Sequence, residues 1–444
     1  MNHWIDGAVF YHLYPLGALG APPRNDFASP PADRIAGLHG WLDRAAGLGA
    51  SAIYLGPVFE STAHGYDTAD YFHVDRRLGD DDAFARFCAA VHERGLRLVL
   101  DGVFHHVGRD FWAFRDVRER GAASPYRDWF HLDFNARSPY GDPFSYAGWS
   151  GHLDLVKLRL ENHDTRAHLL AAVESWMARF AIDGLRLDAA DALDLGFQRA
   201  LAAFCRARRP DFWFVGEVVH GDYRRWAHPE ALDSVTNYEA YKGLYSSLND
   251  TNYFEIAYAL ERQSRIYAGL SLYTFVDNHD VDRIASRLAD PAHLYPLHIV
   301  LFTMPGVPAI YYGSERGIAG KRSRTSDAEL RPALAPEGPW GEHRELEPVI
   351  HRLVALRRQS AALRRGQYRQ LHVAHEQLAF ARTEASEQIV VAVNAAKRPV
   401  ELTLALSDGT ELHDLLNEGK RFPVRGGRAT LPLDAQWGRV LALR

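Results

Sequence analysis

Two kinds of hydrophobic pattern alternate along the first 365 residues. Short apolar runs indicate buried strands, and between them lie longer segments whose apolar residues recur every three or four positions, as in amphipathic helices. The first run is AVFYHLYPLG (8–17), and seven more follow it: ASAIYLGPVF (50–59), LRLVLDGVF (96–104), GLRLDAAD (184–191), DFWFVGEV (211–218), LDSVTNY (232–238), LSLYTFVDNHD (270–280) and VPAIYYGSE (307–315). Because helical segments separate these runs, the pattern predicts eight parallel strands joined by right-handed helical crossovers.

Eight strand–helix units are the number that a closed (β/α)8 barrel requires, so we expect an α/β fold of this TIM-barrel type. An open, doubly wound sheet is the alternative that the same alternation allows. The helix between the fifth and sixth strands is expected near DYRRWAHPEA (222–231). The helix between the sixth and seventh strands is expected at EIAYALERQSRIYAG (255–269).

The helix predicted over DTRAHLLAAVESWMARFAID (164–183) can be checked by counting. Its apolar positions follow the spacing of a single buried stripe, which consists of Leu169, Val173, Trp176, Met177 and Phe180. Asp164 or Thr165 is expected to cap its N-terminus, because both side chains accept hydrogen bonds from free backbone amides.

The regular alternation is interrupted once and then ends. About sixty residues rich in Gly, Pro, Ser and aromatic side chains follow the third strand, and long connections of this kind are usually functional. They leave the C-terminal end of a strand, which is the active face of a barrel. After Gly366, alternating runs such as QIVVAVN (388–394) predict a small antiparallel β-sandwich. We therefore expect a catalytic barrel at 1–365, an inserted domain at 107–162 and a C-terminal β domain at 366–444.

Composition and charge narrow the class of protein. Of the 444 residues, 47% are hydrophobic and 24% are charged, and the formal net charge is −5. Neither nucleic acid nor a membrane is expected as a partner, since no long run of like charge occurs and no apolar run approaches the roughly 18 residues of a membrane span. Cys88 and Cys205 lie in helical apolar patterns, which favours core positions over a disulfide. The N-terminal residues do not resemble a signal peptide, so a cytoplasmic location is expected.

Charged residues occur where the pattern predicts a buried strand. In GLRLDAADAL (184–193), a period of two places Leu185 and Leu187 on one face and Arg186 and Asp188 on the other. Taken alone, an Arg-x-Asp pair of this kind is typical of a structural ion pair.

Further acidic residues occupy equivalent positions. Asp101, Glu217 and Asp280 end the third, fifth and seventh strands, so with Asp188 they place four carboxylates at one end of the barrel. Arg186 supplies one obligatory positive charge to this group. Four acids around one cation suit catalysis better than structure, because crowded negative charge raises the pKa of one member.

Grouped carboxylates are compatible with two chemistries. Two of them within about 5.5 Å suit retaining glycoside hydrolysis, in which one acts as nucleophile and the other as acid and base. A metal cluster is the alternative, but Arg186 on the same face would repel a cation, and no HxH or ExxH spacing occurs at these strand ends. We therefore predict neither a metal site nor a cofactor.

The four strand ends together resemble the alpha-amylase superfamily, family 13 of the glycoside hydrolases. The segments that match its main sequence regions, in order and spacing, are DGVFHH (101–106), GLRLD (184–188), GE (216–217) and FVDNHD (275–280). Two further segments, HGYDTADYF (64–72) and DLVKL (154–158), resemble additional family motifs. The resemblance covers the barrel, the insertion and the C-terminal domain.

The resemblance implies three catalytic carboxylates. Asp188 is implied as the nucleophile that forms a covalent glucosyl intermediate, and Glu217 as the group that protonates the leaving oxygen and later activates water. Asp280 is implied to hold the sugar hydroxyls and to stabilise the oxocarbenium-like state. This agrees with elementary chemistry, since a sugar ring that develops positive charge is stabilised by carboxylates.

The resemblance also implies the supporting residues. Arg186 would orient Asp188, and Asp101 would brace Arg186. His106 and His279 would donate or accept hydrogen bonds with the same sugar, and Tyr66 would stack against its ring, as aromatic side chains do with flat, partly apolar ligands.

The chain departs from the family's pattern in two respects. His105 stands where many members have an asparagine associated with a structural calcium ion, and imidazole is a poor ligand for a hard cation. The stretch YAGWSGHLDLVKL (146–158) and the run EVVH (217–220) are most similar to the neopullulanase and cyclomaltodextrinase branch. Members of that branch carry an extra N-terminal β domain that helps form dimers, whereas the first strand begins within ten residues here, so the oligomeric state stays open.

The resulting expectation is a retaining hydrolase of α-glucosidic bonds in malto-oligosaccharides or cyclodextrins, with some transglycosylation. Its expected partner is an oligosaccharide substrate. One alternative is a glucosyltransferase or isomerase of the same superfamily, such as trehalose synthase or sucrose phosphorylase. A second is a non-catalytic relative, although such relatives usually lose the three carboxylates that this chain retains. Linkage preference and endo or exo action stay open.

Overall fold

The structure, a computed structural model, describes residues 4–406 and 409–444. Eight parallel strands, numbered 1 to 8 below, form its central sheet: Phe10–Leu13, Ala52–Leu55, Arg97–Gly102, Gly184–Leu187, Trp213–Gly216, Ser234–Val235, Tyr273–Thr274 and Val307–Tyr311. Their order in the sheet is 6-5-4-3-2-1-8-7. A parallel bridge between Thr236 and Tyr273 joins strands 6 and 7, which closes the ring. The predicted (β/α)8 barrel is confirmed.

Helices surround this barrel. The longer ones are Leu38–Gly47, Asp81–Glu93, His163–Phe180, Leu195–Arg208, Tyr238–Asn249, Phe254–Ile266, Leu294–Thr303 and Leu346–Gln359. Shorter helices are Pro15–Ala18, Ile284–Arg287 and Ala361–Arg365. Single 3₁₀ turns occur at Ile5–Gly7, Ile35–Gly37, Tyr223–Arg225, Pro291–His293, Ser314–Arg316 and Ala328–Leu330.

The alternation of side chains along the strands creates two separate cores. Leu185 and Leu187 of strand 4 are fully buried in the large core between the sheet and the helices. The barrel interior has its own cluster, which includes Phe10, Ala52, Val99, Trp213, Val215 and Ala309. Arg186 lies in register with Val215 of strand 5 and therefore points into the barrel, above this interior cluster.

The helix His163–Phe180 confirms most of the predicted stripe. Leu169, Val173, Trp176 and Phe180 are buried, whereas Met177 is only half-buried. The predicted cap was wrong. Asn162 is the N-cap residue, and its side-chain oxygen accepts a hydrogen bond from the Thr165 amide at 3.0 Å, because the helix begins one residue before Asp164.

Two helix predictions near strand 6 differ from the structure. Residues 222–231 contain only the 3₁₀ turn Tyr223–Arg225, since Gly221 precedes it at φ +114° and Pro229 interrupts the segment. A helix that the pattern did not predict, Tyr238–Asn249, follows strand 6 and is capped by the Asn237 side chain. Gly and Ser at three of its positions gave a weak helical signal.

The insertion after strand 3 is a small antiparallel unit. His106–Gly108 pairs with His152–Lys157, which also pairs with Gly148–Trp149. A second ladder joins Leu132–Asp133 to Ser145–Tyr146, and the remaining elements are the helix Trp112–Arg120 and the 3₁₀ turns Gly121–Ala123 and Arg127–Trp129. The Leu158 amide donates to the carbonyl of His105 at 3.0 Å, so the unit enters and leaves the barrel at neighbouring points.

The C-terminal part consists of two antiparallel sheets. The larger contains Gln367–Val373, Gln377–Glu384, Glu387–Asn394, Trp437–Leu443, Glu411–Asp414 and Arg421–Pro423, in that spatial order, and the smaller pairs Val400–Ala405 with Arg428–Leu433. A shared apolar cluster contains Val390 and Leu441 from the larger sheet and Leu404 and Leu431 from the smaller one. The sheets therefore pack face to face, as the sequence predicted.

Two smaller expectations can also be checked. Cys88 and Cys205 are buried and free, as their apolar surroundings predicted. Within residues 4–406 and 409–444, no helix has both the length and the apolar character needed to cross a membrane.

Candidate active site

Arg186 is the centre of the site. Its Nη1 donates to Asp101 Oδ1 at 2.8 Å and to Asp188 Oδ1 at 2.8 Å, and its Nη2 lies 2.8 Å from Glu217 Oε2. Arg186 is 4% exposed, so these charge-assisted bonds form away from bulk water. Asp188 and Glu217 thus contact neighbouring nitrogens of one guanidinium group, which brings two carboxylates from different strands close together.

Strand register and one strained turn produce this arrangement. Asp101 pairs with Arg186 across strands 3 and 4, so both side chains point into the barrel at the same level. Ala189, directly after Asp188, has φ +45°, a left-handed conformation that a residue with a Cβ adopts only at some cost. This turn directs the Ala189 amide to Glu217 Oε2, to which it donates at 3.1 Å.

Asp280 joins the same cluster through His279 and Tyr66. His279 Nε2 lies 2.9 Å from Asp280 Oδ2. The Tyr66 hydroxyl contacts His279 Nε2 and donates to Asp101 Oδ2 at 2.9 Å. The rings of Tyr66 and His279 stack with centroids 5.3 Å apart. Tyr66 therefore links the Arg186 cluster to Asp280, so that seven of the eight residues predicted for the site lie in one network of contacts.

His106 lies at the edge of this network, with its Nε2 3.8 Å from Asp188 Oδ2. Burial, followed by the charges of neighbouring imidazoles, lowers the pKa of His106 to about 3, so it is neutral at physiological pH. Within the described residues, His106 Nε2 and His279 Nδ1 are buried without a hydrogen-bond partner. Two unpartnered imidazole nitrogens at a carboxylate cluster are suited to the hydroxyl groups of a ligand.

Arg331 is a site residue that the sequence patterns did not reveal. It lies in the loop after strand 8, and its Nη2 contacts Asp280 Oδ1 at 3.0 Å and Asp327 Oδ2 at 2.8 Å. Its Nε donates to the carbonyl of His279 at 2.9 Å, and its guanidinium stacks over Tyr14. The spacing of four residues between Asp327 and Arg331 could have indicated an ion pair. No strand pattern, however, placed either residue at the end of the barrel.

The surroundings of the cluster shift the pKa of Asp188 and the pKa of Asp280 in opposite directions. Burial raises the pKa of Asp188 well above its usual value; the negative charges of Glu217, Asp101 and Asp280 add to this, and Arg186 opposes it. Burial also disfavours ionisation of Asp280. For that residue, however, His279, Arg331 and Arg186 prevail and hold its pKa well below the usual range. The expectation that one crowded carboxyl has a raised pKa therefore applies to Asp188.

His105 occupies the position where many members of the resembled family have a calcium-associated asparagine. Burial, followed by the positive charge of Lys157, lowers the pKa of His105 to about 4. A cation placed beside His105 would face that lysine charge. Within residues 4–406 and 409–444, no three His, Cys, Asp or Glu side chains are grouped so that they could hold a metal ion.

Comparisons with known proteins agree with this geometry. The sequence family "Alpha amylase, catalytic domain" matches residues 32–345, and "Maltogenic Amylase, C-terminal domain" matches residues 368–436. Neopullulanase 2 of Thermoactinomyces vulgaris is 32% identical, over 99% of this chain and 78% of its own length. A cyclomaltodextrinase of Geobacillus thermopakistaniensis is 30% identical, over 94% of this chain and 74% of its own length.

Solved structures show the same similarity. The cyclic alpha-maltosyl-(1→6)-maltose hydrolase from Arthrobacter globiformis, in complex with cyclic alpha-maltosyl-(1→6)-maltose, superimposes with a TM-score of 0.83 at 27% sequence identity. The superposition covers 99% of this chain and 99% of that chain. The barrel, the insertion and the C-terminal sheets therefore all have counterparts in a protein seen with an oligosaccharide bound.

Proposed function

The chain belongs to the alpha-amylase family of glycoside hydrolases, and we propose that it hydrolyses α-glucosidic bonds in malto-oligosaccharides or cyclodextrins with retention of configuration. The expected resemblance to the neopullulanase and cyclomaltodextrinase branch is confirmed by its relatives. The observation that carries the proposed mechanism is the contact of Asp188 and Glu217 with neighbouring nitrogens of Arg186. A shared guanidinium group supports the short separation of the two carboxylates, about 5–5.5 Å, that a retaining mechanism requires.

The first step forms a covalent intermediate. Glu217 donates its proton to the glycosidic oxygen while Asp188 attacks the anomeric carbon, so the carbon–oxygen bond to the leaving sugar breaks and an ester bond to Asp188 forms. In the second step Glu217 removes a proton from water, which attacks the same carbon and releases Asp188. Each carboxyl group ends in its starting protonation state.

The surrounding residues support these steps. Arg186 keeps Asp188 oriented and favours its ionised form, and Asp101 fixes Arg186. Asp280, ionised through its contacts with His279 and Arg331, supplies negative charge to the oxocarbenium-like state. His106 and His279, which lie beside Asp188 and Asp280, are assigned to hydrogen bonds with the sugar, and Tyr66 provides the aromatic ring beside His279.

The acceptor of the glycosyl group separates this proposal from its alternative. A glucosyltransferase or isomerase would pass the sugar from Asp188 to another sugar rather than to water. Product analysis with maltotriose, a cyclodextrin, trehalose and sucrose distinguishes them, because an isomerase interconverts disaccharides without net release of reducing sugar.

We further propose a cytoplasmic location and the domain limits 1–365, 107–162 and 366–444 given above.

Substitution of Glu217 tests the mechanism. Glu217→Gln should lower kcat by about 100- to 10,000-fold, since it removes the proton donor while it preserves the shape of the side chain. Glu230→Gln, which changes an exposed carboxylate in the following loop, is the matched control and should leave kcat unchanged.

A maltosyl fluoride bypasses the need for an acid, because fluoride leaves without protonation. With this substrate, Glu217→Gln protein should accumulate a glycosyl ester on Asp188 that mass spectrometry of peptides locates. A fully active Glu217→Gln protein, or an ester on another residue, would contradict the assigned roles.

A further inference from the structure

A groove of about 530 Å³ lies between the segment that follows Glu217 and two helices, and it has no part in the chemistry described above. Its volume is within the range of sites that bind small ligands. Five tyrosines contribute to its walls, and we call it the tyrosine groove: Tyr223, Tyr238, Tyr241, Tyr245 and Tyr258. Val219 and His220, the residues shortly after Glu217, line its end nearest the site.

The tyrosines form two facing walls. Tyr238, Tyr241 and Tyr245 follow one face of the helix Tyr238–Asn249, with ring centroids 6.0 Å apart for the first pair and 5.0 Å apart for the second. This row spans about 10 Å, because seven residues of helix rise 1.5 Å each. Tyr258 stands on the opposing helix, Phe254–Ile266, and is 67% exposed. An exposed tyrosine at the edge of a groove offers a free ring face for stacking.

The charges around the groove are paired with each other. Lys242 lies 3.0 Å from Glu255, and Arg262 lies 3.3 Å from Glu239. Such pairs connect the two helices and leave no excess of either sign, so the groove favours a neutral ligand with many hydroxyl groups over an anion or a cation. Aromatic walls with paired polar residues at the rim are the surface that a sugar chain fits.

Tyr238 connects the groove to the catalytic cluster. Its hydroxyl accepts a hydrogen bond from Asn278 Nδ2 at 3.2 Å, and its ring packs edge-on against Phe275. Both partners belong to the segment that connects strand 7 to Asp280. The groove is therefore joined to the site at two points, through Tyr238 to the segment that carries Asp280 and through Val219 and His220 to Glu217.

We propose that the tyrosine groove binds the part of the α-glucan chain that leaves with the protonated oxygen, together with the sugar acceptor in transglycosylation. This rests on the proposed function, in which Glu217 protonates the leaving oxygen, so that the departing sugars lie on its side. The acceptor of a transfer reaction approaches by the reverse of that path and occupies the same place. The groove thus makes the enzyme selective for chains that are long enough to reach Tyr258.

The test compares substrates of different length. Steady-state kinetics with maltotriose and maltoheptaose are measured for the unmodified protein, for Tyr258→Ala and for Phe254→Ala. Phe254 is a matched control, because it is 47% exposed on the same helix but does not line the groove. Tyr258→Ala should lower the ratio of kcat/KM for maltoheptaose to that for maltotriose by about 2- to 12-fold, the loss that one aromatic contact gives.

Two further variants make the result decisive. Tyr258→Phe should keep the ratio, since it retains the ring. Calorimetric titration of maltoheptaose into Glu217→Gln protein, with and without Tyr258→Ala, measures the affinity for the sugar chain in the absence of turnover. The double variant should bind maltoheptaose more weakly. An unchanged ratio, an equal change in Phe254→Ala, or equal calorimetric affinities would overturn the proposal. Failure of the proposed function appears separately, as absence of hydrolysis by the unmodified protein.

Discussion

One arginine holds three carboxylates together at the centre of the site. Four oxygen atoms, two from Asp101 and one each from Asp188 and Glu217, lie within 3.1 Å of the Arg186 guanidinium. A planar guanidinium offers five N–H donors in fixed directions, whereas an ammonium offers one compact charge. The geometry of the donors, and not the charge alone, sets the distance between Asp188 and Glu217.

A lysine at position 186 should therefore fail to replace the arginine. Arg186→Lys keeps the charge but loses the separate donors, and a displaced nucleophile should lower kcat/KM by at least about 100-fold. Arg179→Lys, in which an exposed arginine paired with Asp81 is changed, serves as the control and should retain activity. Near-normal kcat/KM for Arg186→Lys would contradict the orienting role.

The raised pKa of Asp188 should be visible in the pH dependence of kcat/KM. Asp188 must be ionised to attack, so kcat/KM should fall as the pH falls through its raised pKa, at a pH above the usual aspartate value of about 3.9. The mechanism also requires one carboxyl group of the pair to carry a proton, so kcat/KM should fall again at high pH and the profile should be bell-shaped. His106, with a pKa of about 3, should add no step near pH 6.5. An acid limb at or below pH 3.9 would contradict the raised pKa.

The sequence predicted the residues that end strands and missed the one that lies in a loop. Asp188 and Glu217 directly follow strands 4 and 5, so the strand period and parallel pairing determine their direction. The prediction that Asp280 ends strand 7 was wrong in its bounds, because that strand stops at Thr274 and Asp280 lies six residues further along the chain. Arg331 is positioned by tertiary contacts with Asp280 and Tyr14, which no local period encodes. The turn at Ala189 was equally invisible, because Ala has no preference for positive φ.

At the scale of elements, helices with a continuous apolar stripe were predictable and helices interrupted by small polar residues were not. His163–Phe180 could be identified from its spacing alone, whereas Tyr238–Asn249 contains Gly243, Ser246 and Ser247 and depends on burial for its stability. Gly243 packs so closely against Ile256 of the next helix that an added Cβ would lie 3.2 Å from the Ile256 backbone. That helix forms because of its neighbour, and a sequence pattern contains no such information.

The N-cap of His163–Phe180 gives a prediction at this scale. Asn162→Ala should lower the free energy of unfolding by about 0.5–2 kcal/mol, since the Thr165 amide loses its acceptor. Asp164→Ala is the control, because Asp164 is exposed and pairs only with the adjacent His163 in the structure described here. Urea denaturation monitored by fluorescence would measure both. A larger loss for Asp164→Ala than for Asn162→Ala would contradict the assigned cap.

At the scale of the whole molecule, a buried arginine joins the C-terminal sheets to the barrel. Arg382 of the strand Gln377–Glu384 donates to the carbonyl of Thr303 at 2.7 Å, at the C-terminal end of a barrel helix. Arg357, on the last barrel helix, donates to the neighbouring carbonyls of Phe302 and Met304 and so fixes the end of the helix that contains Thr303 from within the barrel. Burial lowers the pKa of Arg382 to about 10, yet its charge remains at neutral pH and is favourable at a helix C-terminus.

The barrel and the C-terminal sheets should accordingly unfold together. Arg382→Met, which keeps the length of the side chain, should lower the free energy of unfolding by about 1–3 kcal/mol, because carbonyl groups at the interface lose their donor. Arg365→Met removes an exposed arginine that pairs with Glu384 and should have a much smaller effect. Calorimetry should show a single transition for the unmodified protein. Two separate transitions there would mean that the two parts are independent.

The base of the insertion after strand 3 has a consequence for how such enzymes diversify. The ladder between His106–Gly108 and His152–Lys157 holds the two ends of this segment together at its base. The residues between these two paired strands can increase or decrease in number at a small cost in entropy, because loop-closure entropy grows only logarithmically with length. A graft from another enzyme at this point would change which substrates reach Asp188 while the eight strands stay untouched.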